Sequence, residues 1–189
     1  MILGRLPGPR QAPLLWASGA LSAALLGWMN LSFALPFTGL TGGRAIPDLD
    51  IESTGQGLLA LRSLLETRPE AADLLRAMHL GPDLVLPAIL GLFLVLLMRR
   101  VAIGAGLYGR PAERLLPFLL ALPIGYILVD YLENLASLML FPPASPAPGT
   151  ATLLAEALSW LTRLKFAALV ISGILILRLA FGPKPSTDS

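Results

Sequence analysis

The sequence predicts an all-α integral membrane protein, a four-helix bundle with short amphipathic helices in its first extramembrane loop. Three observations predict it. The chain is 55% hydrophobic, only 14% charged and has a mean hydropathy of +0.73, whereas a soluble domain is near a quarter charged. Four apolar runs are each long enough to cross about 30 Å of hydrocarbon at about 1.5 Å per residue. The basic residues gather in short segments at the ends of those runs, as topology signals do.

The four spans are expected near 12–35, 83–103, 115–141 and 151–180, in one membrane domain covering 1–189. Arg5 and Arg10 precede the first span without an acidic residue. Ser32-Phe33-Ala34 loosely resembles a signal-peptidase site, but the apolar run before it is longer than a usual leader core, which favours a retained helix. Segment 38–82 is the sizeable polar stretch. Gly39, Gly42, Gly43 and Pro47 read as loop, and Asp48, Asp50 and Glu52 form an acidic cluster. Leu58, Leu61 and Leu65, then Leu74, Leu75 and Met78, recur at helical spacing between charged residues. They predict two short amphipathic helices that lie on the membrane surface or cap the bundle, the alternative being a packed, solvent-exposed helical hairpin. Pro69 marks the start of the second and Gly81-Pro82 its stop.

Arg99, Arg100, Arg110 and Arg114 face one acid, Glu113, in the loop after the second span, which marks that loop as cytoplasmic. The loop 142–150 is Pro-rich and uncharged, and Arg178 and Lys184 return the chain to the arginine side. Both termini are then cytoplasmic, and 38–82 is periplasmic if the membrane is a bacterial inner membrane. The bacterial assignment follows from an Ala-, Leu-, Gly- and Pro-rich composition in which arginine far outnumbers lysine.

The absence of cysteine excludes disulfides and thiol chemistry. A net charge of +2 is too small for a nucleic-acid partner. The expected partners are the lipid bilayer and a lipid or amphiphile ligand, and a homo-oligomer is compatible with this. A hard-metal site would have to draw on Asp83, Asp130, Glu133 and His79, but no recognised metal motif is present, and neither a metal nor another cofactor is expected. His79 reads as a surface residue of an amphipathic helix. Walker, nucleotide-fold and Gly-x-Ser-x-Gly signatures are absent.

The polar chemistry is concentrated in the third span. Tyr126, Asp130, Glu133, Asn134 and Ser137 are three or four residues apart and so share one helix face. Leu128, Leu132, Leu135 and Met139 form the opposite face, suited to lipid. Counted from the arginine side, Asp130 rises about 24 Å, Lys165 about 20 Å, Arg163 about 22 Å and Asp83 about 24 Å. Asn30 and Ser32 reach about 30 Å. A carboxylate at such depth must neutralise or find a cation. Asp130 or Glu133 is therefore expected to pair with Arg163 or Lys165 across the third and fourth spans, with Tyr126, Asn134, Thr162 and Asp83 beside the pair. Gly91, Gly104, Gly106, Gly125 and Gly173 are expected to allow close helix approach. Trp16, Trp28 and Trp160 suit interfacial positions.

Asp130-x-x-Glu133-Asn134 in one span and Thr162-x-x-Lys165 in the next resembles a pattern in small bacterial four-span membrane proteins of unknown function. The resemblance covers the last two spans and implies no activity. Such a layer can be structural, a buried ion pair fixing helix register, or solvated charge at the water boundary; three functions also suit it. The first is binding the head group of a lipid or small amphiphile, zwitterionic or phosphate-bearing, in an accessory or carrier role. The second is a membrane enzyme using Asp130 and Glu133 as general acid and base on a lipid-soluble substrate. The third is a subunit of an ion-coupled transporter, which with four spans would need oligomerisation.

Overall fold

The computed structural model describes residues 11–182. Arg5, Arg10 and Lys184, which carry part of the topology expectation, lie outside them. The fold is all-α. Four helical stretches are long and apolar enough to cross a membrane: Ala12–Leu40, Pro69–Ala102, Ala112–Leu140 and Pro148–Phe181.

The first stretch comprises α1 (Gln11–Met29), a π-helical segment (Asn30–Ala34) and α2 (Leu35–Leu40). It runs past residue 35, where the apolar pattern alone would end it. Pro36 has no N–H and its ring crowds the carbonyl four residues back. The helix widens just before it, and the Leu35 amide bonds to the Asn30 carbonyl. A 3-10 turn (Pro47–Leu49) follows.

Helices α3 (Gly55–Glu66) and α4 (Pro69–Leu80) then form the cap. The Thr54 hydroxyl accepts from the Gly57 amide at 3.1 Å and starts α3. Pro69 occupies the first turn of α4, where its missing N–H costs nothing. Leu58, Leu61 and Leu65 of α3 and Ala71, Ala72, Leu75 and Met78 of α4 are buried against Phe37, Ala136, Leu140, Ala155 and Leu158. The apolar faces are thus spent on the protein. Of the arrangements open to amphipathic helices here, a cap packed on the bundle is the one adopted.

A 3-10 turn at Pro82–Leu84 separates α4 from α5 (Leu86–Ala102). The arginine loop contains a hairpin of β1 (Gly106–Leu107) and β2 (Arg110–Pro111), which the hydropathy pattern does not announce. Tyr108 and Gly109 both have positive φ, 52° and 71°. That matches the two-residue turn whose twist suits antiparallel strands. Helices α6 (Ala112–Leu140) and α7 (Pro148–Phe181) complete the bundle. Helix α6 packs on both α5 and α7, whereas α1 packs along α5 rather than α7.

Two apolar cores result. One joins the cap to the ends of α6 and α7. The other, around Leu94, Met98, Leu116, Leu119 and Ile176, lies toward the arginine loop. The polar face of α6 is held between them. Leu128, Leu132, Leu135 and Met139 are exposed, the environment expected of lipid-facing residues.

The glycines divide sharply. A Cβ on Gly91 would collide with the Ile127 side chain, so Gly91 sets the α5–α6 distance. One on Gly19 would press on Phe93 at 2.8 Å, a close approach of α1 to α5 without a sequence signal. Gly125 and Gly173 face open space, and Gly104 serves a turn at φ +67°. Close helix packing therefore does not explain Gly104, Gly125 or Gly173, contrary to expectation. Gly91→Leu should destabilise the bundle by about 1–3 kcal/mol through overpacking. Gly125→Ala should be neutral or gain up to about 1 kcal/mol of helix propensity. Thermal unfolding in detergent, followed by circular dichroism, distinguishes the two; equal melting temperatures would contradict this packing.

Candidate functional site

The polar face of α6 meets α7 in a buried ionic cluster. Lys165 Nζ lies 3.4 Å from Asp130 Oδ1 and also pairs with Glu133 Oε2. The Thr162 hydroxyl donates to Glu133 Oε1 at 2.6 Å. Thr162 and Lys165, three apart, share the α7 face that looks at α6. Glu133 is wholly shielded from solvent, at 0% exposure. Each of these groups would be costly alone in a low-dielectric interior; mutual pairing is what makes their burial tolerable.

Arg163 does not join them. It donates from Nη2 to the Ser53 carbonyl at 2.9 Å and from Nε to the Ile51 carbonyl at 3.4 Å, and lies over Trp160 at 5.3 Å. The expectation that either base could meet the acids thus resolves to Lys165 alone. Arg163 instead ties the loop before α3 to α7, beside the Ser159 hydroxyl, which donates to the same Ser53 carbonyl at 2.7 Å.

Asn134 and Asp83 are also brought to this layer, linked through the chain: Asn134 Nδ2 donates to the Asp83 carbonyl at 3.2 Å. Nearby, the Tyr131 hydroxyl donates to the Leu84 carbonyl at 2.8 Å. Both bonds anchor the turn at Pro82–Leu84, whose backbone has left the helical ladder. Tyr126 is buried one turn below Asp130.

A second cluster adjoins the first. His79, at 1% exposure, is buried rather than on the surface. Its Nδ1 lies 3.0 Å from Asp83 Oδ2 and 3.7 Å from Asp48 Oδ2, and its Nε2 lies 2.8 Å from Ser137 Oγ. The surface reading fails because α4 turns its His79 side onto α6. His79 and Asp83 are spaced i,i+4 across a Gly-Pro stop, a pattern that could have flagged them together. Asp48 could not have been picked from its acidic neighbours: Asp50 is half-buried and Glu52 exposed, and the loop conformation alone turns Asp48 inward.

The two clusters open onto one cavity of about 280 Å³. Its polar wall carries Asp48, Asp83, Asp130, Lys165, Tyr126 and Asn30; Leu26, Met29, Leu86, Leu90, Phe166 and Leu169 form much of the rest. Asn30 belongs to the π-helical segment. Ser32, expected at a similar height, is exposed. Among the described residues, Asp48 Oδ1, Asp130 Oδ2 and Asn134 Oδ1 are buried without a hydrogen-bond partner. The clusters combine four carboxylates with Lys165 and a single imidazole, so their fully ionised charge is negative.

No protein-family model, curated protein or solved structure matches the chain.

Lys165→Met should cost about 3–5 kcal/mol, because it leaves buried carboxylates without their cation. Adding Asp130→Asn and Glu133→Gln should recover most of that loss. Melting curves of the single and triple variants test the pairing. A triple variant no more stable than the single one would show that the lysine acts through packing rather than charge.

Proposed function

We propose that the chain is a membrane-embedded binding protein for a lipid or small amphiphile, serving as an accessory or carrier, with the head group seated on the ionic wall of the cavity. The carrying observation is the cavity itself, which sets Asp130 and Lys165 against apolar side chains of α1, α5 and α7. Small-molecule sites of this construction orient a ligand with a few polar groups and hold it with apolar walls. At about 280 Å³ the space is near the lower end of such sites, roughly 300–1,000 Å³. It suits a head group and the start of a chain, with the remaining tail passing out beside α1.

The charge balance favours an ammonium-bearing head group over a bare phosphate. Asp130, Glu133 and Lys165 together carry one net negative charge when ionised. Asp130 lines the cavity, and its Oδ2 is unpartnered among the described residues. An ammonium there supplies the missing donor. Lys165, the cation a phosphate would need, is already engaged by two carboxylates. The acid–base reading is less well supported: Glu133 is committed to Lys165 and Thr162 and does not line the cavity, so the two acids cannot both address a substrate there.

Binding of dodecylamine and dodecyl phosphate to the purified chain tests this reading. The amine should bind more tightly, and Asp130→Asn should weaken it about 10- to 100-fold, the worth of a charge-assisted hydrogen bond. A preference for the phosphate, or amine affinity unchanged in the variant, would defeat it.

For topology, we assign the arginine loop and both termini to the cytoplasm of a bacterial cell, and the cap to the periplasm. Arg99, Arg100, Arg110, Arg114 and Arg178 support this by the positive-inside rule. A fluorescent protein fused after residue 189 should fluoresce, whereas a C-terminal alkaline phosphatase fusion should be inactive. The opposite pair of results reverses the assignment.

A further inference from the structure

We propose that Asp48, His79 and Asp83 form a binding site for one divalent metal ion of the zinc, manganese and iron(II) class, on the cap side of the cavity. The site goes beyond amphiphile binding and does not depend on it.

The three donors come from separate pieces of irregular or terminal backbone: the turn Pro47–Leu49, the end of α4 and the turn Pro82–Leu84. One donor atom from each lies within 4.8 Å of the others. Two ligands each about 2.1 Å from an ion stand about 3.0 Å apart at a right angle and about 3.4 Å apart at a tetrahedral one. His79 Nδ1 is 3.0 Å from Asp83 Oδ2 and 3.7 Å from Asp48 Oδ2. Those two separations bracket the coordination values, while the two carboxylates, within 4.8 Å of each other, must both turn to the same point to share one ion.

A second, independent observation points to a cation. Asp48 is 6% exposed, and its Oδ1 has no hydrogen-bond partner among the described residues. An ionised carboxylate in that state is costly unless a cation answers it. Two carboxylates and a neutral imidazole balance a divalent ion, whereas a protonated His79 would still leave one charge in excess. The first cluster, Asp130–Glu133–Lys165, keeps its own net charge in either case.

The surroundings fit metal ligation. With Nδ1 on the ion, Nε2 carries the proton and donates to Ser137 Oγ, 2.8 Å away. Metal-bound histidines characteristically have their second nitrogen held in this way, which sets ring orientation and tautomer. Asn134 fixes the backbone of Asp83 from α6. One nitrogen and two oxygen donors suit borderline divalent ions better than magnesium or calcium, which favour oxygen throughout. Asp48 and Asp83 both line the cavity, leaving a further coordination position on that side.

The same atoms also read as a Ser137–His79–Asp83 relay for nucleophilic catalysis. Access argues against it: the void beside Ser137 and His79 holds only about 10 Å³, too little for an acyl group.

The test is metal titration of the full chain, purified in detergent and stripped with chelator, using zinc, manganese, iron(II), magnesium and calcium. We expect one equivalent of zinc or another transition ion, with magnesium and calcium bound more weakly. Asp48→Asn, close to isosteric, should weaken binding by more than tenfold. Ser137→Ala should weaken it about 10- to 100-fold through the imidazole, and Asp50→Asn should leave it unchanged. Cobalt(II) bound to the wild type should show visible absorption that Asp48→Asn loses. Substoichiometric binding of all five ions, or equal affinity in wild type and Asp48→Asn, overturns the proposal. If His79→Ala fails to fold, Asp48→Asn and the cobalt spectrum still decide. Dodecylamine binding, read through Asp130→Asn, is a separate measurement, so either reading can fail alone.

Discussion

The arrangement depends on keeping Lys165 of α7 between Asp130 and Glu133 of α6 while all three are withdrawn from water. Such burial forces the helices into one register, since a shift of a single residue would turn Lys165 about 100° away from the acids. Thr162 reinforces that register by bonding Glu133 from the same α7 face. The apolar cores on either side, one under the cap and one toward the arginine loop, shield the cluster along the bundle axis. The small cap helices thus have a specific physical role: their leucines close the bundle above a charged layer that would otherwise meet solvent.

The irregular backbone is gathered around the same place. The helix of the first span widens into a π segment at Asn30–Ala34, and the helical path from the cap into α5 breaks at Pro82–Leu84. In a membrane, backbone that leaves the helical ladder is tolerated where it is buried in protein or lines a cavity. Both features occur here, since Asn30 and Asp83 line the cavity. Their sequence causes are Pro36 and the Gly81-Pro82 pair. The side chains of α6 satisfy the freed carbonyls of Asp83 and Leu84. The broken segment is therefore held from across the bundle, and with it the carboxylate of Asp83.

The two clusters divide the work by charge. Asp130, Glu133 and Lys165 are largely self-compensating, with one oxygen of Asp130, a residue of the cavity wall, left without a partner among the described residues. Asp48, His79 and Asp83 contain no permanent cation and converge on a common point. An ammonium group and a divalent ion are different answers to these two deficits, and occupying one need not empty the other. The apolar walls of α1, α5 and α7 would strengthen either proposed interaction by lowering the local dielectric.

Much of this was legible in the sequence. Apolar runs of span length dictate transmembrane helices because hydrocarbon accepts no unpaired backbone. Three- and four-residue spacing placed Tyr126, Asp130, Glu133, Asn134 and Ser137 on one face and four large apolar residues on the other. The need for a buried acid to find a cation pointed to α7. Periodicity could not choose between Arg163 and Lys165. They lie about 200° apart around α7, and only its rotation against α6 puts Lys165 inside and Arg163 toward the Ile51 and Ser53 carbonyls of the loop before α3. Nor could it turn His79 inward, select Asp48 over Asp50 and Glu52, or distinguish Gly91 from Gly125. Local patterning determined which helices form and which of their faces are polar, because those properties repeat within a few residues. The meeting of a loop acid, a cap histidine and a turn acid was decided by the tertiary structure alone, because it depends on how segments distant in sequence rotate and pack.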